Sequence, residues 1–105
     1  MRSGRDFRRV LTQGRRVERP GFVAAAAANP HPEAPSRLGL AVRCKGGAVA
    51  RNLVKRRLRA AFRQVEPAAG YDFVLRADDR VLDIEYSTLV DELGSALDRV
   101  TGDGT

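Results

Sequence analysis

One histidine, one cysteine and no tryptophan occur in the 105 residues, and each scarcity removes a class of function. A lone Cys44 permits neither an intrachain disulfide nor a cysteine metal cluster, and reads as a small half-buried side chain. The lone His31 lies in Asn29-Pro30-His31-Pro32-Glu33-Ala34-Pro35-Ser36, which holds three of the five prolines. That composition predicts a loop that cannot pair in a sheet, with no residue spaced to use His31 as a base or ligand. Unaided cleavage of a phosphodiester would need a His/Lys acid–base set or clustered carboxylates on a metal. The only dense carboxylates, Asp78, Asp79 and Asp83, read as solvated loop and cap residues. The longest apolar run, Phe22 to Ala28, has seven residues, too few to span a membrane, and its amino-terminal flank is too long for a secretion signal. The expectation is a cytoplasmic chain.

Acidic residues are missing where basic ones are densest. Residues 1–65 carry 16 Lys/Arg against 3 Asp/Glu, a balance of +13, whereas residues 66–105 carry 3 against 10, a balance of −7. A fold that gathers the first half on one surface presents a basic face and an acidic back, which steers and orients a polyanion. The length suits a single domain over residues 1–105.

Residues 48–65 lack Gly and Pro and are rich in helix formers. At about 100° per residue, Val54, Leu58, Ala61, Phe62 and Val65 form one core-facing stripe. Arg51, Asn52, Lys55, Arg56, Arg59 and Arg63 occupy the adjacent arc, while Leu53 and Arg57 fall outside both sets. No acid interrupts the basic arc, so it repels itself in isolation. Arginine outnumbers lysine five to one between Arg51 and Arg63, which favours bidentate phosphate contacts and stacking on bases. A solvated charged surface is the bland alternative. A membrane surface would need a broad apolar face that the core already claims.

Elsewhere, Phe7, Val10 and Leu11 recur at helical spacing before Gly14, after a Ser3-Gly4-Arg5-Asp6 capping-box pattern, predicting a helix from about Arg5 to Gln13. Arg15 to Gly21 reads as a basic, turn-rich connector. Pro20-Gly21 and Asn29-Pro30 cut Phe22–Ala28 to strand length, although alanine prefers helices. Strands follow at Arg37–Arg43 and Tyr71–Arg76, a polar connector at 77–83, and a last helix from about Ser87 to Arg99, with Thr88 to Asp91 as a capping box. Residues 102–105 should fray.

Arg51-Asn52-Leu53-Val54-Lys55-Arg56-Arg57-Leu58-Arg59 resembles the RNR signature of the protein subunit of bacterial ribonuclease P. Arg5 to Leu11 with Gly14, Arg37 to Val42, and Gly70 to Arg76 are similar to that family's first helix and to two of its strands, in the same order. The resemblance implies an α+β two-layer sandwich, α-β-β-α-β-α, with a mixed sheet and a left-handed β-α-β crossover. It implies a protein that is inactive alone and assists a catalytic RNA subunit in removing the 5′ leader of precursor tRNA. Mg²⁺ would be held mainly by that RNA, with no organic cofactor, no metal site on the protein, no membrane and no obligatory protein partner. The basic helix would bind the catalytic RNA, and Arg43 and Lys45, in a link one residue shorter than usual, would contact phosphate. Phe7, Leu11, Phe22, Arg15 and Arg16 would line a cleft for the leader. Two readings from other classes stand beside it: a free-standing RNA- or DNA-binding module, and a metal-dependent nuclease using Asp78, Asp79 and Asp83.

Overall fold

In the computed structural model, the chain runs α1 (Gly4–Gln13), β1 (Arg15–Arg19), β2 (Phe22–Ala28), β3 (Arg37–Arg43), α2 (Gly47–Val65), β4 (Tyr71–Asp78), a 3-10 helix (Asp79–Asp83) and α3 (Tyr86–Val100). The structure describes residues 4–29, 33 and 35–102, and in α1 the side chains of residues 4–7 and 13 fall outside that description. The expectations for Ser3, His31 and residues 103–105 therefore concern positions outside the described residues, as does any for the ring of Phe7.

The four strands lie in the order β1-β2-β4-β3. β1 with β2 and β2 with β4 are antiparallel, and β3 with β4 is parallel, joined through α2. The connector expected at 15–21 is thus an edge strand and a two-residue turn, with Gly21 at a φ of 91°. Val17 is its only apolar residue, so β1 had little periodic signal; a sheet edge needs backbone pairing, and charged side chains there deter further strand addition.

Alternation along the strands separates two faces. Phe22, Ala24 and Ala26 of β2 and Phe73, Leu75 and Ala77 of β4 pack against α2 and α3. The stripe on α2 is as its periodicity requires, with Val54, Leu58, Ala61 and Phe62 buried. Phe62 meets Phe73 edge to face at 5.5 Å between centroids, a favoured aromatic geometry. On the opposite face Val10 of α1 packs on Ala25 and Val74, with Leu11 and Ala27 at the margin. The alanines of β2 suit this arrangement, because helices on both faces of one strand need short side chains between them. Gly14 closes the turn from α1 to β1, where a Cβ would lie 2.2 Å from the Ala26 carbonyl oxygen.

Two expected details differ. α3 begins at Tyr86 with Glu85 before it, and no side chain caps it, so the pattern from Thr88 to Asp91 lies within the helix. The polar connector at 77–83 instead holds the end of β4 and the 3-10 helix, whose amino end is capped by the Asp78 carboxylate accepting from the Arg80 N–H.

The face beneath α1 also holds a charge. Asp72 is fully buried on β4. Arg37 of β3 donates to both its oxygens, from Nε at 2.8 Å and Nη2 at 2.6 Å, and Asn29 donates from Nδ2 at 3.0 Å. Arg9 of α1 completes the cluster with an ion pair. Hydrogen bonding from Arg37 holds the Asp72 carboxyl below the usual carboxylate range, overcoming the opposite effect of burial, with Arg9 and Asn29 assisting. The folded state therefore binds the Asp72 proton less well than the unfolded chain. Its contribution is complete above about pH 5 and is lost as pH falls through the unfolded value near 4 and then the lower folded one.

Asp72→Asn should accordingly lower stability at neutral pH and flatten the acid side of the stability curve. The loss should be about 2–3 kcal/mol, under the usual cost of a broken buried pair because Arg9 and Arg37 are partly exposed and can turn to water. Urea unfolding at pH 7 and pH 4 measures both effects. An unaltered acid limb would assign it to another carboxylate.

Candidate nucleic-acid interface

Packing of the α2 stripe on the sheet leaves its basic arc outward. Arg51, Asn52, Arg56, Arg59 and Arg63 are exposed and Lys55 is half-buried. Among the described residues, none of these cations forms an ion pair; the pairs that exist are Arg9 and Arg37 with Asp72, Arg19 with Glu92, and Arg80 with Asp78. Such a face gains from an external polyanion and from no neighbour of its own.

Arg57, inside the same basic run, behaves differently. It donates to the Ile84 carbonyl and lies 5.6 Å from the centroid of the Tyr86 ring. The Tyr86 hydroxyl in turn donates to Oε1 of Gln64 at 3.1 Å. These contacts fasten α2 to the start of α3 and so fix which arc of α2 faces solvent.

Arg43 and Lys45 are exposed between β3 and α2. Carboxylates stand beside these cations, because Asp78, Asp79 and Arg80 line the same pocket as Arg43, Cys44 and Lys45. The parallel register sets Arg43 beside Asp78. Burial pushes the Cys44 thiol up; Asp79 and Asp78 raise it further, and Arg51 acts the other way. Arg80 holds the Asp78 carboxyl below the usual range through paired hydrogen bonds of 3.0 and 2.9 Å. An Asp already engaged in this way is poorly suited to holding a catalytic metal, and among the described residues no three His, Cys, Asp or Glu side chains converge on one ion.

The residues expected to form a cleft are divided by the sheet. Arg16 is exposed on the α1 face, paired in register with Ala25, and Leu11 is half-buried there. Phe22 is 2% exposed and packs in the core on the α2–α3 face, reaching solvent only where it helps line a groove at the end of the strands. Its position in β2 puts it in phase with Ala24 and Ala26, not with Ala25. Arg15 is likewise out of phase with Arg16, and a Cβ at Gly102 would lie 3.2 Å from its Nη1, beside the carboxyl end of α3 where a cation is favoured. Phe7 lies on α1, in the stretch whose side chains are outside the description.

At the end of the strands away from the Asp72 cluster lies a groove of about 670 Å³, lined by Val23, Ala41, Arg43 and Arg76 of the α1 face, by Phe22, Val42 and Ala77 of the opposite phase, and by the acids Glu18 and Asp78. The sequence reading gave Arg76 no role. Its signal was present, since Asp72, Val74 and Arg76 share the phase opposite to Phe73 and Leu75, but the apolar triplet Phe73-Val74-Leu75 masked it.

Residues 1–101 match the family profile described as Ribonuclease P. The chain is 41% identical over 102 residues to the ribonuclease P protein component of Paramagnetospirillum magneticum, with 90% of this chain and 77% of that one covered. It is 36% identical over 115 residues to that of Streptomyces bikiniensis, covering 100% and 94%. Among solved structures, the ribonuclease P protein from Thermotoga maritima superposes with a TM-score of 0.80 at 29% identity, over 97% of each chain.

Arg51→Ala, Lys55→Ala, Arg56→Ala and Arg59→Ala should each leave thermal unfolding intact and weaken binding to a structured RNA. Each lost phosphate contact should reduce the slope of log K against log salt by about 0.7–0.9. Filter binding across a salt series measures it, and unchanged slopes in all four would leave α2 with a merely solvated face.

Proposed function

The chain belongs to the ribonuclease P protein family, and from that premise we propose how its two surfaces divide the work of maturing precursor tRNA. The basic arc of α2 binds the catalytic RNA subunit. The α1 face of the sheet receives the 5′ leader, with Arg16 at the rim and Phe7 offering a ring to a base. The observation that carries this reading is the α2 arc itself, a row of cations left without an acidic partner among the described residues.

In this reading the protein positions and neutralises and does not cleave. Mg²⁺, held mainly by the RNA subunit, supplies the hydrolytic chemistry. Arg51, Arg56 and Arg59 offset phosphate repulsion in the assembled particle, so less Mg²⁺ is needed to hold it together. The leader, once fixed against the sheet, places the scissile bond at the RNA's site without a separate ordering step. No helix among the described residues is long and apolar enough to cross a membrane, and we place this work in the cytoplasm, with RNA as the partner.

Reconstitution tests the assignment: with the catalytic RNA at low Mg²⁺, the protein should restore release of the leader, and alone it should cleave nothing. Phe7→Ala should weaken binding of precursor tRNA by about 1–3 kcal/mol, the worth of one base–aromatic stack, and leave mature tRNA almost unaffected. Thermal unfolding recorded alongside separates this from loss of fold. Equal weakening for both tRNAs in a folded variant would assign Phe7 to packing.

A further inference from the structure

The register arranges the α1 face of the sheet in four rows. Ala27, Asp72 and Arg37 form the first, tied to α1 by Arg9; Arg16, Ala25, Val74 and Gly39 form the second, under Val10. Glu18, Val23, Arg76 and Ala41 form the third, and Asp78 with Arg43 the fourth. The first two rows are covered or internally paired, and the third and fourth line the groove together with Phe22, Val42 and Ala77 of the opposite phase.

Arg76 stands at the centre of that third row. It is exposed in mid-strand on the inner strand β4, with a short side chain on either side, Val23 and Ala41. It makes no ion pair among the described residues, and the nearest acid in its row, Glu18, is two strands away. Short neighbours leave room above the sheet for a flat object, and a guanidinium is itself a flat, weakly hydrated cation that stacks on π systems.

We propose that Arg76 stacks on a base of the single-stranded leader and is the sheet's own contribution to telling precursor from mature tRNA. The inference rests on the reading that the leader lies on the α1 face. The flat surface that the sheet itself offers is then the guanidinium of Arg76 on β4, between the short side chains of Val23 and Ala41. A phosphate contact would need only the charge of Arg76, whereas stacking needs its plane.

The test uses the reconstituted holoenzyme and compares affinity for precursor tRNA with that for mature tRNA in Arg76→Ala, Arg76→Lys and Phe7→Ala, with thermal unfolding of each protein. Arg76 is exposed, so its variants should unfold like the parent. Arg76→Ala should reduce the precursor-to-mature preference by about 5- to 150-fold, the range of one base stack, and Arg76→Lys should recover little of it. A lysine variant equal to the parent would overturn the proposal in favour of a simple charge contact. An unchanged preference in Arg76→Ala, with a reduced one in Phe7→Ala, would overturn it and keep the cleft. Unchanged preference in all three would remove the leader from this face altogether.

Discussion

A single buried carboxylate settles how much of the sheet α1 covers. Asp72 is in an apolar strand, where an unpaired charge would be intolerable, and its oxygens are satisfied by Arg37 from the neighbouring strand, Asn29 from the end of β2 and Arg9 from α1. The cluster therefore joins an edge strand, two inner strands and a helix at one end of the sheet. It pins α1 over the first two rows and leaves the remaining rows open. Val10, Ala25 and Val74 make a small apolar contact, which holds α1 down without specifying where along the strands it sits. The direction-dependent part of that decision comes from the charges.

The other face follows a different economy. α2 has a conventional apolar stripe, yet its outward arc repels itself and gains nothing from its surroundings in the free protein. Its orientation is secured by contacts that use none of that arc: the core stripe, the edge-to-face pair of Phe62 with Phe73, and Arg57 against Ile84 and Tyr86. Holding the helix by its back and one side leaves the charged arc whole.

The parts of this fold with strong local periodicity were legible in the sequence. The basic helix and its stripe, the strands at 37–43 and 71–76, and the last helix follow from spacing alone, and the nine-residue signature named the family. What was hidden depends on pairing between distant segments. β1 has one apolar residue and is a strand only because β2 offers it an edge. Phe22 resembles a surface aromatic beside a turn, and only its phase with Ala24 and Ala26 sends it into the core. Arg9, Asn29, Arg37 and Asp72 are unremarkable singly and become one cluster through the β2-β4-β3 order. Arg76 was obscured by the apolar residues preceding it, although the period-two rule sets it on the same face as Asp72.

The strand order also bears on how the protein is made. β4 lies between β2 and β3, so a ribosome must extrude residues 71–78 before either can find its inner neighbour. Until then the nascent chain holds a β1–β2 hairpin, an unpaired β3 and a helix without a platform, structures that are marginal in water on their own. That emerging stretch already carries a balance of +13 in its first 65 residues, beside a ribosome surface rich in RNA phosphate. Closure of the sheet and delivery of the compensating acids both wait on residues 66–105, so the same stretch that turns the strands into a sheet also turns a uniform polycation into one with an acidic side.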